Sequence, residues 1–291
     1  MAPAPAVRPS AIAGTWYPGH AETLRHAVAE MMDEARPANL PGAVLALVCP
    51  HAGYRYSGPT AAHAYRAVRG ETYTRVIILG PLHRPIAGSR LGAVMVPAED
   101  AYVTPLGQVR IDRSFLAALG AAVPLTEVRH DQEHSLEIQL PFLQVALAAP
   151  FNLAPIMLGE YIGDPGTAVR LDQLSAALAR LIQAGAATGE RTLLLASTDL
   201  SHLDNYADVV RTDGELVDLV NRFDLPALTQ ALATERVMAC GATGLVATLS
   251  TAQRLGAEGA RVLAYASSGD VTGNKLPGAY TVGYLAAAAY A

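Results

Sequence analysis

Three short apolar runs in this chain each end in a polar cluster that contains histidine. Ala43 to Val48 leads into PHAGYRYSG with His51, Val76 to Leu79 into GPLHRP with His83, and Thr192 to Ala196 into STDLSH with Asp199 and His202. The separation of His51 from His83 is that of one βαβ unit. If the three runs are parallel neighbours in a sheet, their imidazoles meet at one edge. A single such histidine is most simply a hydrogen-bonding loop residue, but three at equivalent strand ends point to a shared task. The segment MACGATG adds Cys240, next to Gly241 at the expected amino end of a helix. There the helix dipole would lower the thiol pKa and favour the thiolate that a metal or an electrophile needs. Cys49, inside an apolar run, reads as a core thiol. Two neutral imidazoles and a thiolate suit Zn, Cu or Fe and leave coordination positions open for water or substrate.

The segment HDQEHSLEIQLP, residues 130–141, holds His130 and His134 four apart, a superficial likeness to a zinc-binding helix. No third ligand follows at a familiar spacing. The simpler reading is a helix capped by Ser135 or Asp131, with Leu136, Leu140, Leu143 and Leu147 as its buried stripe. Asp131, Glu133, His134 and Glu137 are nevertheless many polar groups for one cap, and such groups serve as acid/base residues or as partners that orient ligand histidines. Trp16, the only tryptophan, and Tyr54 and Tyr56 are candidates for a pocket wall. The Gly-rich loop SSGDVTGNK matches neither the dinucleotide nor the P-loop pattern and reads as a polar turn.

The elements that must position these groups are those of an α/β protein. Further strand-length apolar runs occur at Leu153 to Leu158, Val262 to Ala266 and Tyr280 to Leu285, none alternating with polar residues, as expected of strands covered on both faces. Helical patterns fall at Ala21 to Glu34, Thr60 to Val68, Arg113 to Ala121, Ser135 to Ala148, Thr167 to Ala184, Asp213 to Asn221, Leu225 to Thr234 and Gly244 to Leu255. The alternation implies a three-layer α/β/α sandwich with a largely parallel or mixed central sheet, and ligands beyond the carboxyl ends of its strands. Leu91 to Ile111 reads as an inserted hairpin. Residues 1–8, rich in Pro and Ala, are expected to be a flexible arm, and residues 9–291 a single α/β domain.

Composition narrows the function classes. The 291 residues carry 21 Lys+Arg and 26 Asp+Glu, a net charge of -5, and 51% are hydrophobic. Scattered Arg on an acidic chain argues against a nucleic-acid surface. The hydrophobic excess is largely 55 Ala, and no run approaches the roughly 20 apolar residues of a spanning helix. The start lacks the pattern of a secretory signal, so a cytoplasmic location is expected.

Taken together, TWYPG, PHAGYRYSG, GPLHRP, EHSLEIQLP, STDLSH and MACG, in this order from residue 15 to residue 241, resemble the Memo family. That resemblance implies a fold like that of the class III extradiol ring-cleaving dioxygenases, with a metal at the edge of an α/β sheet. It implies His51, His83 and Cys240 as metal ligands, with Asp199, His202 and His134 in the same pocket. Trp16, Tyr54 and Glu137 are the expected ligand-pocket residues. The expected metal is iron or copper ahead of zinc, since a thiolate favours softer ions. The leading functional expectation is a metal-binding redox protein or non-haem metal-dependent oxidoreductase, with His202 moving protons and Asp199 orienting it. Bacterial and archaeal members are named AmmeMemoRadiSam system protein B, which implies AMMECR-domain and radical SAM proteins as partners. The alternative is a non-catalytic module that keeps the pocket for a small-molecule or peptide ligand. A third reading makes Cys240 a nucleophile activated by His202.

Overall fold

A computed structural model describes residues 6–84, 86 and 92–291. In chain order the elements begin with β1 (Val7–Arg8), α1 (Ala21–Glu34), β2 (Val44–Cys49), α2 (Tyr54–Arg66), β3 (Arg75–Pro81), β4 (Val94–Pro97), β5 (Ala101–Thr104) and β6 (Gly107–Arg110). Then come α3 (Arg113–Gly120), β7 (Leu125–Val128), α4 (His134–Glu137), α5 (Leu140–Ala146), β8 (Asn152–Leu158), α6 (Thr167–Ala186) and β9 (Thr192–Ser197). The remainder is β10 (His202–Leu203), α7 (Tyr206–Asn221), α8 (Leu225–Ala233), α9 (Ala242–Arg254), β11 (Gly259–Ser267), α10 (Ser268–Thr272) and β12 (Thr281–Tyr290).

The main sheet is mixed and runs β10-β12-β2-β9-β3-β8-β4-β7, with β11 also paired to β12. Its centre is parallel: Ala46 pairs with Leu194, Leu79 with Ala196, and Leu79 with Ile156. β12 is antiparallel to β2, and β4 is antiparallel to β8. The central strands are Val-, Ile- and Leu-rich and buried along almost their whole length because helices cover them. α2 packs on β2, β11 and β12 with α1 and α5 behind it; α9 packs on β2, β3 and β9 with α6 and α8 behind it. The result is the expected α/β sandwich. Helix α1 shows why the layers hold. Leu24, Val28 and Met32 recur at four-residue spacing and are fully buried, each contributing about 1.5–3 kcal/mol by its removal from water. Among the described residues no helix is long and apolar enough to cross a membrane.

Local details depart from the expected pattern for identifiable reasons. The anticipated helix over 135–148 is two helices, because Pro141 lacks the N–H that would bond to the Glu137 carbonyl. Its cap is neither Ser135 nor Asp131: the Glu133 side chain accepts from Ser135 N. α2 starts six residues earlier than its pattern suggests and carries Pro59 within it. In the insert, β5 and β6 form the hairpin while β4 joins the main sheet; Leu91, like Pro85 of the GPLHRP motif, lies outside the described residues.

The expected arm requires a correction. Residues 1–5 lie outside the described residues, but Val7–Arg8 is a strand paired with β5. Arg8 is 1% exposed, with Nε 2.9 Å from Asp131 Oδ1, Nη1 2.6 Å from Glu137 Oε2 and Nη2 donating to the Glu133 carbonyl. A Pro/Ala-rich start conceals one buried guanidinium, and that charge anchors the segment.

Candidate metal centre

Because β2, β9 and β3 are adjacent and parallel, their carboxyl ends lie on one edge of the sheet. His51 follows β2 by two residues, His83 follows β3 by two, and β9 ends at Ser197 just before Asp199. Cys240 reaches the same edge from the residues before α9. Gly241 permits this approach, since a Cβ there would lie 2.5 Å from the Ser197 carbonyl oxygen. Gly80 has the same function for the loop carrying His134: a Cβ would meet Ser135 Oγ at 2.8 Å.

The two imidazoles are held by their Nδ1 atoms. His51 Nδ1 is 3.1 Å from Ser197 Oγ. That hydroxyl donates to the Ser135 carbonyl at 2.6 Å and accepts from Gln139 Nε2 at 2.7 Å, so toward His51 it is an acceptor. The network therefore assigns the ring proton to Nδ1 and leaves Nε2 bare. Gln139 is itself fixed by the Tyr65 hydroxyl, which donates to its Oε1 at 2.5 Å. His83 Nδ1 lies 2.9 Å from Glu133 Oε1, while its main-chain N–H donates to Oε2. Its Nε2 is likewise the available atom. Cys240 Sγ lies 3.1 Å from His51 Nε2, and ligand atoms of His51, His83 and Cys240 all fall within 4.8 Å of one another. His83, Glu133 and His134 form a second such group, but there the Glu133 oxygens already accept from His83 and Ser135.

The electrostatics favour neutral His51, His134 and Cys240 beside an ionised Glu133. Burial, then His83 and His134, holds His51 well below its usual pKa. Burial brings His134 down to about 4, against the pull of Glu133. Burial opposes ionisation of Glu133, yet the hydrogen bond and charge of His83, with His134 and Ser135 N, bring it down to about 2. Burial pushes Asp199 up to about 7, against the main-chain donors of His51 and Ala52. The expected lowering of the Cys240 thiol is corrected: burial, then Asp199, pushes it up and outweighs the nearby helix end. Cys49 is a core thiol pushed by burial up to about 12.

The histidines and Asp199 face a cavity of about 750 Å³, whereas Cys240 lines a smaller neighbouring one with His202. His51, His83, His134, Asp199, His202 and Trp16 line the larger cavity, and the His134 ring lies between His83 (4.4 Å) and Trp16 (4.3 Å). Three expected roles are not matched by the geometry. Tyr54 is buried behind the wall, donating to the Ile138 carbonyl and packing on Phe142, while its neighbours Arg55 and Tyr56 line the cavity. Glu137 points away, into the Arg8 cluster, where it also accepts from Ser10, Tyr17 and Ala11 N. Asp199 accepts from His51 N, whereas His202 Nδ1 is 2.9 Å from the Tyr280 hydroxyl, so Tyr280 rather than Asp199 orients His202. Nor, among the described residues, does His202 hydrogen-bond to Cys240 as an activating base would; the imidazole at the thiol is that of His51. His130 is turned outward, its side chain 87% exposed.

Sequence reasoning missed Ser197 and Gln139, the residues behind His51, and Ser268, Thr272, Asn274, Tyr280 and Tyr284 on the far wall. The last group was partly legible. The SSGD of the supposed turn is a capping box, in which Ser267 and Asp270 open α10.

A family model described as Memo-like protein matches residues 8–288. A "MEMO1 family protein" of Methanosarcina acetivorans is 34% identical over 284 residues, covering 96% of this chain and 98% of that protein. One of Aeropyrum pernix is 35% identical over 293 residues, with 96% and 98% covered. One of Methanopyrus kandleri is 31% identical over 290 residues, with 96% and 97% covered. With matches of this extent, the chain belongs to the Memo family.

Proposed function

We propose that His51, His83 and Cys240 hold a redox-active metal ion, iron or copper, and that the protein is a metal-dependent oxidoreductase or redox protein whose ligand occupies the adjoining cavity. The observation that carries this reading is the pair of imidazoles locked at Nδ1 by Ser197 and Glu133, with a thiol 3.1 Å from the bare His51 Nε2. Fixing Nδ1 on a hydroxyl or carboxylate is how ligand histidines are oriented and made more basic. The donor set fits a borderline or soft ion, and a bound cation would favour the thiolate that burial alone disfavours. When bound, such an ion supplies electron transfer and an electrophilic centre beside the cavity. The placement at a sheet edge accords with the dioxygenase-like architecture the family resemblance implies.

The surrounding residues have separate tasks. His202, held by Tyr280, is positioned to take or give a proton at the cavity wall. Asp199 fixes the loop after β2 through His51 N and accepts no bond from His202. His134 and Trp16, their rings tilted at 47° to one another, form an aromatic corner of the cavity against which a ligand packs. Metal analysis of anaerobically purified, tag-free protein is expected to find about one iron or copper per chain, lost in the double variant His51→Ala, Cys240→Ala. Absence of metal in the parent, or its retention in the double variant, overturns the assignment. The cavity also supports a non-catalytic binding role; ligand binding that persists in Cys240→Ala, with no redox activity in the parent, would favour it. AMMECR-domain and radical SAM proteins are the partners to test by co-purification.

A further inference from the structure

We propose that the cavity is built for a planar organic acid whose carboxylate pairs with Arg55. The inference rests on the metal-site reading only for what meets the opposite end of the ligand. Arg55, exposed at the cavity, is the only Lys or Arg among the described lining residues, and it makes no ion pair among the described residues. Arg66, on the same helix, has Asp33 as a partner. The Arg55 guanidinium lies over the Tyr56 ring, 4.5 Å from its centroid. That contact holds the cation in place and leaves its in-plane N–H donors free for a bidentate carboxylate. Arg55 also sits in the first turn of α2, where the helix dipole adds to the positive potential.

The rest of the wall selects the body of the ligand. Trp16, Tyr280 and Tyr284 supply aromatic surface, and Trp16 and Tyr280 are 37% and 62% exposed, so core packing does not explain them. The one acid in the lining, Asp199, is buried and held by the main-chain N–H of His51, so it does not neutralise Arg55. A cavity of about 750 Å³ accommodates a small molecule.

Trp16 is the only tryptophan and lines the cavity, so its fluorescence reports binding without any turnover. The test titrates 4-hydroxybenzoate and its neutral counterpart 4-hydroxybenzamide into the parent, Arg55→Met and Arg55→Lys, each both metal-loaded and chelator-treated, with metal content measured on the same samples. The acid is expected to bind about tenfold more tightly than the amide in the parent. Arg55→Met should abolish that preference and Arg55→Lys retain part of it, with unchanged thermal midpoints showing that both variants fold. Equal binding of acid and amide, no detectable binding of the acid, or a preference that survives Arg55→Met would overturn the proposal. An acid preference in protein that binds no metal would sink the metal reading alone; bound metal with no acid preference would sink this one alone.

Discussion

Two buried polar clusters lie side by side in this molecule, and they differ in what they leave unsatisfied. In the Arg8 cluster, Glu137 accepts from Arg8, Ser10, Tyr17 and Ala11 N, and Arg8 spends its remaining donors on Asp131 and the Glu133 carbonyl. That cluster joins the N-terminal strand to the loop before α4 through paired charges, although Asp131 Oδ2 finds no hydrogen-bond partner among the described residues. In the candidate metal centre, Ser197 and Glu133 hold only the rear atoms of His51 and His83, and the ligand atoms of the two rings and of Cys240 lie within 4.8 Å of one another. The same loop, residues 131–137, feeds both clusters. Paired charges mark the structural cluster, and ligand atoms grouped without an opposite charge mark the candidate site.

The largest effect should come from breaking the charge-paired cluster. Arg8→Met leaves Asp131 and Glu137 buried without their cation, an expected loss of about 3–5 kcal/mol in chemical denaturation. A loss below about 1 kcal/mol would show that the cluster is not the anchor its geometry indicates. At the candidate site the effect should fall on affinity. Glu133→Gln is expected to weaken metal binding about 10–100-fold, read by competition with a chelator, because it alters the fixation of His83. Ser197→Ala should act on the same scale through His51, and unchanged affinity in both variants would remove the orienting role. By contrast, Cys240→Ala in metal-free protein should shift stability by only about 1 kcal/mol, since the thiol anchors little.

A further buried carboxylate, outside both clusters, sharpens the comparison by lacking a cation. Asp213 accepts from Ser201 and the Tyr265 hydroxyl, and burial raises its pKa despite those bonds. With the folded value above the unfolded one, its contribution to stability is complete below the unfolded pKa of about 3.9 and is lost as pH rises through the folded value. Asp213→Asn should therefore gain stability relative to the parent as the pH is raised from acid to neutral, measured by urea midpoints. The gain should be about 1.4 kcal/mol for every pH unit that separates the folded from the unfolded pKa. A difference independent of pH would show that Asp213 ionises in the folded protein as it does in the unfolded chain.

Much of this arrangement was legible in residue types. Continuous Val, Ile and Leu runs marked β2, β3 and β9, and the polar residues after them marked the edge where His51, His83 and Asp199 meet. The partners of those residues were less visible. Ser197 and Gln139 are ordinary polar residues in sequence and acquire meaning only when β9 and the turn before α5 bring them to His51. Glu137 shares a motif with His134, yet its carboxylate pairs with Arg8 while the His134 ring lines the cavity. Arg8 sits in a stretch whose composition indicates an arm.

By itself the sequence determined the layered architecture, the strand ends that bear chemistry and the family, because hydrophobic pattern and motif order are local properties of the chain. The tertiary structure alone decided which polar groups close on one another and which stay open. It turned Glu137 toward Arg8, gave His202 to Tyr280 instead of Asp199, and placed Arg55 on the cavity wall in place of Tyr54. The physical reason is that hydrogen bonding and burial depend on neighbours distant in sequence, and those neighbours decide the protonation, orientation and availability of each functional atom.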